Sequence, residues 1–233
     1  MNEQELSRRL KRVGEFVPQG ARLADIGSDH AYLPVALVLQ EKISFAVAGE
    51  VVEGPYLSAQ KQVRKSRVEE KITVRLANGL DAIEPTDEIS AITIAGMGGT
   101  LIKQILEAGR ANNRINGSER LILQPNVGER NVRLWLVQEG YQIIAEDILE
   151  ENRKTYEIIV AEQQKLPKEY CAQELFFGPF LMQEKSAVFK AKWQREFAQR
   201  EKVLAQLDGT QKEHQRKIQE LKEQIKWIEE VLA

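Results

Sequence analysis

The 233-residue sequence is poor in cysteine, in histidine and in long apolar runs. One cysteine, Cys171, and two histidines, His30 and His214, exclude a disulfide scaffold, a zinc finger and a His-based metal cluster, so no metal site is expected. The longest nearly continuous apolar run, 31–39, is interrupted by Pro34 and is far shorter than the roughly 20 residues that cross a bilayer. The charged N-terminal region lacks the apolar segment of a signal peptide. These absences favour a cytoplasmic protein without membrane contact.

Charge of one sign is also scarce, since 33 Lys and Arg face 35 Asp and Glu. Residues 185–233 nevertheless carry a net charge of +3, which leaves −5 on residues 1–184. That excess is compatible with RNA contact but does not require it, because dedicated nucleic-acid binders usually carry a denser basic patch. The length suffices for one full domain and an appendage.

Short apolar runs alternate with helical patterns after a first amphipathic helix, in which Leu6, Leu10, Val13 and Val17 share one face. This alternation predicts βαβ units and a doubly wound, largely parallel sheet. The predicted strands are Arg22 to Ile26, Phe45 to Gly49, Ile72 to Leu76, Ala91 to Ala95 and Arg120 to Leu123. The predicted helices are Ala31 to Gln40, Pro55 to Arg67 with Pro55 at the first helical position, Thr100 to Ala111 and Val127 to Glu139.

Two further strand-like runs, Tyr141 to Leu149 and Thr155 to Val160, are too close for a crossover helix and must pair as an antiparallel hairpin. Five parallel strands followed by a hairpin are typical of Rossmann-like class I methyltransferases that use S-adenosylmethionine (SAM). This arrangement differs from the six-stranded dinucleotide-binding sheet.

The last part of the chain has a different pattern. Pro167, Gly178 and Pro179 mark a boundary, beyond which apolar residues recur near heptad spacing. We expect a domain at 1–165 and a helical coiled-coil domain at 166–233. The preferred structure is a helical hairpin that turns at Asp208 to Thr210, and one unbroken helix is the alternative.

The turn after the first strand is the strongest candidate site, because ligands of open α/β sheets bind at the carboxyl ends of strands. Only Gly27 of the G-x-G-x-x-G fingerprint is present, which disfavours NAD. Asp25 and Asp29 would repel a diphosphate but suit a ligand that carries an ammonium and a sulfonium, as SAM does. An acidic turn that merely caps a helix is the alternative.

Polar residues also follow the other predicted strands. Glu50 is placed to accept hydrogen bonds from ribose hydroxyls, and Asn78, followed by Gly79, could bind the amine of an adenine. The glycine-rich segment Ile94 to Gly99 could meet a flat base with its backbone groups, and Gln124 and Asn126 reach the same edge. A helix cap, a turn and a glycine hinge remain open as structural explanations.

These segments together resemble one family, the bacterial tRNA (adenine-N1)-methyltransferases of the TrmK type, which modify adenine 22. The resemblance extends from about Leu6 to Val160 and rests on several uncommon strings in register. They are Ala24 to Pro34 (ADIGSDHAYLP), Ala48 to Pro55 (AGEVVEGP), Asn78 to Leu80 (NGL), Ile94 to Gly99 (IAGMGG), Leu123 to Asn126 (LQPN) and Tyr156 to Ile158 (YEI).

The resemblance implies methyl transfer from SAM to N1 of adenine 22 of tRNA. It implies a cofactor site at Asp25, Gly27, Ser28, Glu50, Val51, Asn78, Gly79, Leu80, Ala95, Gly96 and Met97. Asp29, His30 and Tyr32 would face the methyl group and the target base, although a lone histidine such as His30 is more often structural. We expect the cluster Arg8, Arg9, Lys11 and Arg12, together with the helical tail, to contact tRNA.

Two other functions stay open at this point. The protein could methylate a small molecule or a protein, with the tail serving as an oligomerisation coiled coil. It could instead be a non-catalytic module that binds SAM or a nucleotide. The sequence does not determine the oligomeric state, for which we favour a monomer.

Overall fold

A computed structural model describes residues 6–166, 168–207 and 215–233, which form two compact units, one up to Tyr170 and one from Cys171 to Ala233. The division falls a few residues beyond the predicted position. The predicted boundary residue Pro167 and the predicted turn at Asp208 to Thr210 lie outside the described residues. No helix in the described ranges has both the length and the apolar character needed to cross a membrane.

The first unit contains a seven-stranded sheet and five α-helices of the described residues. The strands are β1 (Ala21–Ile26), β2 (Ile43–Glu50), β3 (Ile72–Leu76), β4 (Ala91–Gly98), β5 (Arg120–Val127), β6 (Tyr141–Glu151) and β7 (Lys154–Gln163). The helices are α1 (Arg8–Glu15), α2 (Tyr32–Leu39), α3 (Glu53–Lys65), α4 (Gly99–Ala111) and α5 (Glu129–Gln138). Two short 3₁₀ helices follow β3, at Gly79–Ala82 and Pro85–Asp87.

The sheet has the strand order β3-β2-β1-β4-β5-β7-β6. The first five strands are parallel, and β7 runs antiparallel between β5 and β6. A two-residue turn joins β6 to β7, and its residues Asn152 and Arg153 have φ values of +52° and +62°. Such a turn matches the twist of two paired strands. The sheet is therefore the predicted one of five parallel strands and a hairpin.

Successive residues of the central strands contribute to two different cores, one on each face of the sheet. Leu23 and Ala46 pack with α1, α2 and α3 on one face. Ala24 and Val47 pack with α4 and α5 on the other. Six of the eight residues of α2 are buried, which explains why this helix is apolar on all sides.

All four predicted helix starts differ from the observed ones, and α4 begins at Gly99, one residue before the predicted Thr100. α2 begins at Tyr32 because Ala31 has a φ of +56°. α3 begins at Glu53, so Pro55 lies third in the helix, still within the first turn, where its missing N–H costs no hydrogen bond. α5 begins at Glu129, because Val127 still pairs with β4.

An ion-paired cluster fixes α5 to the β6–β7 hairpin. Nε of Arg133 lies 2.7 Å from Oε1 of Glu146 on β6, and its Nη2 lies 2.5 Å from Oε2 of Glu157 on β7. All three side chains are at most 1% exposed. Because breaking a fully desolvated ion pair leaves a buried charge, this cluster commits α5 to one position on the sheet.

The second unit is helical. It contains α6 (Ala172–Phe177), α7 (Leu181–Glu184), α8 (Ala187–Leu207) and α9 (Gln215–Leu232). α8 and α9 pack against each other, as Nε of Arg200 donates to Oε1 of Gln224 at 3.0 Å, so a single unbroken helix is excluded. Trp193 packs edge-on against Phe177 with ring centroids 4.6 Å apart, and so it is a packing residue, as expected for one of the apolar residues that recur near heptad spacing here.

Candidate active site

The carboxyl ends of the parallel strands bring the predicted site residues to one edge of the sheet. β1 is paired with β2 on one side and with β4 on the other. The turn that leaves β1 is tied to the end of β2, because the N–H groups of Gly27 and Ser28 donate to the Gly49 carbonyl at 2.9 and 3.3 Å. The predicted acids Asp25 and Glu50 therefore flank a common rim.

Asp25 is almost completely buried, with 4% of its surface exposed. The Ser28 hydroxyl donates to Oδ2 at 2.5 Å, and the Thr93 hydroxyl donates to Oδ1 at 2.6 Å. Burial raises the pKa of Asp25, and these two hydrogen bonds oppose the rise. Since each carboxylate oxygen already accepts one bond, a ligand ammonium would have to share an oxygen with a hydroxyl. The sequence does not reveal this arrangement.

Glu50 ends β2 and is 6% exposed. Its Oε1 accepts the Asp29 N–H at 2.6 Å, while Oε2 accepts no hydrogen bond from the residues that the structure describes. Burial raises the pKa of Glu50, and the Asp29 N–H opposes the rise. One oxygen thus holds the neighbouring turn, and the other is available to a hydroxyl of a ligand.

The turn between β1 and α2 contains three successive residues in the left-handed region, Asp29, His30 and Ala31, with φ values of +45°, +69° and +56°. Left-handed backbone costs about 1–2 kcal/mol for each such residue. The turn projects the Asp29 side chain outward, 75% exposed, with Nε2 of His30 3.6 Å from its Oδ1. The His30 ring stacks on Tyr32 at a centroid distance of 5.3 Å. The three predicted catalytic residues are therefore neighbours at the mouth of the site.

Met97 covers the turn from the end of β4. A Cβ atom added to Gly27 would lie 2.1 Å from Cε of Met97, and Gly27 has a φ of +69°. The positive φ favours glycine at this position, whereas the Met97 methyl group, at the end of a flexible side chain, could move aside. The group closest to Gly27 in this structure is thus the Met97 side chain.

The residues after β3 form a cleft with α4. Asn78 and Gly79 line a cavity of about 350 Å³ together with Leu101 and Ile105. Leu80 is almost completely buried, with 1% of its surface exposed. Val51, by contrast, is 66% exposed beside Glu50.

Gln124 and Asn126 hold the glycine-rich end of β4. The amide of Gln124 is fully buried; its Oε1 accepts the Gly96 N–H at 3.0 Å, and its Nε2 donates to the Pro125 carbonyl at 2.8 Å. Nδ2 of Asn126 donates to the Gly96 carbonyl at 2.7 Å. The sequence places these two amides at the rim without a role, and the structure shows that they fix Gly96.

The predicted RNA-binding cluster on α1 is divided by the structure. Arg8 and Lys11 are exposed. Arg12 is paired, with Nε 2.5 Å from Oδ2 of Asp147 and Nη1 2.6 Å from Oε2 of Glu15. Arg9 instead turns towards the sheet edge, where Nη1 donates to Oε1 of Gln124.

The sequence model of the TrmK family, the tRNA (adenine(22)-N(1))-methyltransferases, matches residues 23–230. The chain belongs to this family. A TrmK relative, the tRNA (adenine(22)-N(1))-methyltransferase of Bacillus subtilis, is 45% identical over 238 aligned residues, which cover 100% of this chain and 99% of the relative.

Two solved structures similar to this chain contain the cofactor or its product. Sp1610 of Streptococcus pneumoniae, in complex with S-adenosyl-L-methionine, is 50% identical with a TM-score of 0.89, over 98% of this chain and 100% of the other. M. capricolum TrmK, in complex with S-adenosyl-homocysteine, is 28% identical with a TM-score of 0.85, over 98% and 99%. The predicted methyltransferase fold class is confirmed.

Proposed function

We propose that this chain transfers a methyl group from SAM to N1 of adenine 22 in tRNA. The observation that carries the proposal is the TrmK family match over residues 23–230, and the buried acids Asp25 and Glu50 at the sheet edge support it. This membership favours a tRNA substrate over the small-molecule, protein and non-catalytic alternatives. A tRNA substrate also supports a cytoplasmic location, and we retain the expectation of a monomer, which light scattering would test.

The residues at the sheet edge fit SAM as the methyl donor. Oε2 of Glu50 is open to a ribose hydroxyl, and Asn78 lines a cavity of about 350 Å³. Asp25 and Asp29 supply negative charge for the ammonium and the sulfonium. The proposed contacts are Asp25, Gly27, Ser28, Glu50, Val51, Asn78, Gly79, Leu80, Ala95, Gly96 and Met97, the last four mainly through backbone or apolar contact.

SAM supplies a methyl group on a positively charged sulfur. The adenine N1 lone pair forms the new N–C bond while the S–C bond breaks and its electron pair stays on sulfur. N1 is unprotonated at neutral pH, so no general base is required, and the first task of the protein is in-line alignment. Positive charge passes to the purine, so an acceptor beside the ring stabilises the transition state.

Asp29 is the proposed source of that stabilisation. Its carboxylate is exposed at the mouth of the site, next to the stacked His30 and Tyr32 rings. The Gly96 carbonyl, near the end of the neighbouring strand β4, is a second candidate acceptor. We expect Asp29→Asn to lower kcat by about 10- to 100-fold. SAM affinity should fall less than kcat, because the Asp25 carboxylate and the backbone N–H that binds Glu50 are retained. An unchanged kcat would remove Asp29 from the catalytic role.

The tRNA must present an unpaired or extruded adenine, because pairing hides N1. Extrusion costs a few kcal/mol, and contacts to tRNA phosphates must compensate for it. Of the basic cluster on α1, Arg8 and Lys11 are the residues exposed for that purpose. We propose that the helical unit adds further RNA contact, as the net charge of +3 on its residues 185–233 supports.

The deciding experiment is transfer of labelled methyl from SAM to unmodified bacterial tRNA, followed by nucleoside analysis. We expect N1-methyladenosine in wild-type tRNA. We expect none in the same tRNA with guanine in place of adenine 22. Methylation that survives this replacement would show that adenine 22 is not the methylated nucleotide. No transfer by a chain that binds SAM would contradict the reaction.

A further inference from the structure

Asn126 keeps unused hydrogen-bonding capacity at the rim of the site. Its Nδ2 donates to the Gly96 carbonyl at 2.7 Å, and its Oδ1 accepts from Nε2 of Gln124 at 3.3 Å. These bonds fix the orientation of the amide, because a flipped amide would set its oxygen against the Gly96 carbonyl. An asparagine amide has two N–H donors and two acceptor lone pairs. Among the residues that the structure describes, one N–H and one lone pair of the exposed Asn126 are thus left without a partner.

The glycine-rich end of β4 lies between Asn126 and the turn that carries Asp29. β4 pairs with β1 on one side and with β5 on the other, and Asn126 is near the end of β5. A Cβ atom added to Gly98 would have no neighbour within 4 Å, so open space lies beside this strand end. Val127, the register partner of Gly98, is 67% exposed. A planar base laid over Gly98 would have the Asp29 turn on the β1 side and Asn126 on the β5 side.

The proposed reaction determines which edge of the adenine is free for recognition. N1 attacks the methyl group, so no protein group can hold that atom in the reactive complex. The N6 amine and N7 remain, a donor and an acceptor side by side on the Hoogsteen edge. An asparagine amide supplies the complementary acceptor and donor, and it is one of the side-chain groups that bind adenine bidentately through N6 and N7. The Asp29 carboxylate is an acceptor only and could not donate to N7.

We propose that Asn126 determines specificity for adenine by binding the Hoogsteen edge of the target base. The second N–H of its Nδ2 donates to N7, and its Oδ1 accepts from the N6 amine. The inference rests on the proposed methylation of adenine N1. Guanine has an oxygen in place of the N6 amine, which would face Oδ1 as a second acceptor. The bonds to Gly96 and Gln124 hold the amide in position before the base arrives.

The test compares two tRNAs on three proteins. One tRNA has adenosine at position 22, and the other has 7-deazaadenosine, which replaces N7 by a C–H group and keeps N1 and the N6 amine. Rates of methyl transfer give kcat/KM for the wild type, for Asn126→Ala and for Asn131→Ala, an exposed asparagine of α5 that serves as the matched control.

We expect the wild type and the control to prefer adenosine by roughly 5- to 150-fold, because 7-deazaadenosine leaves an N–H group unpaired. Asn126→Ala lacks that N–H group, so its kcat/KM values for the two tRNAs should agree within about twofold. Calorimetry should give this variant a Kd for SAM within about twofold of the wild-type value, because no contact to the cofactor is removed.

Other results would overturn the proposal. A preference for adenosine that persists in Asn126→Ala would place the N7 contact on another group. A persisting preference together with a weaker affinity for SAM would make Asn126 a support of Gly96 alone. A wild type that methylates both tRNAs equally well would contradict the N7 contact and leave the proposed function standing, whereas a wild type that methylates neither would overturn both.

Discussion

The carboxylate of Glu50 can be tested by a substitution that keeps its shape. In Glu50→Gln, the amide oxygen can still accept the Asp29 N–H that Oε1 accepts at 2.6 Å, so the turn should keep its conformation. The second oxygen becomes an NH₂ group, which cannot accept a ribose hydroxyl. Losing a hydrogen bond to a charged group costs about 1.5–3 kcal/mol, so SAM affinity should fall by roughly 10- to 150-fold.

Calorimetry with SAM measures this loss, and melting temperature reports on the fold. Glu53→Gln is the matched control, because Glu53 is exposed in the first turn of α3, just beyond the rim. Since burial raises the pKa of Glu50, its charged form is costly in the folded chain, and the neutral variant should melt no lower than the wild type. An unchanged Kd would refute the ribose role. A clearly lower melting temperature would show that the carboxylate mainly supports the turn.

Three other predictions concern stability and RNA binding. Arg133→Met should lower the free energy of unfolding by about 3–5 kcal/mol and the melting temperature by roughly 10 °C, because it breaks the buried ion cluster. The control Arg130→Met changes an exposed arginine and should leave both unchanged, and calorimetric melting checks both variants. Burial raises the pKa of Asp25 in the folded chain, so the contribution of Asp25 to stability is present below the ordinary carboxyl pKa and is lost as pH rises through the folded pKa. Asp25→Asn should remove that loss. The same pH dependence of the melting temperature in this variant and in the wild type would contradict the prediction. Arg8→Gln combined with Lys11→Gln should reduce the salt dependence of tRNA binding, lowering the slope of log K against log salt by about one to two, and an unchanged slope would exclude phosphate contact.

Sequence periodicity predicts the strands well where burial decides them. Ile72–Leu76 is observed as predicted, because a buried parallel strand appears as a short apolar run. β4 and β5 extend beyond their apolar runs, to Gly98 and Val127. Gly96 has a φ of +82°, and the register shifts beside it, so polar and glycine residues stay in the ladder. Hydropathy carries no signal for that extension.

The site was predictable where it depends on neighbours in the chain. Asp25 and Glu50 lie at strand ends, and that position alone places them at the rim. Their tertiary partners were not predictable, since Thr93 lies 68 residues from Asp25 and Gln124 lies 115 residues from Arg9. One local signal for Arg9 was available. It precedes the buried Val13 by four residues, which places it on the edge of the apolar face of α1.

The left-handed turn and the proposed cofactor-binding rim share the Glu50 carboxylate, which would join cofactor binding to catalysis. Asp29 is held in a costly backbone conformation by a bond from its own N–H to Glu50, while its side chain carries the proposed stabilising charge. A ribose hydroxyl on Oε2 would draw electron density from the same carboxylate and orient it. Any rotation of Glu50 on binding would thus be transmitted to Asp29 through a 2.6 Å bond. Variants of Glu50 should therefore change kcat as well as Kd, whereas a purely nucleoside-binding acid would change Kd alone.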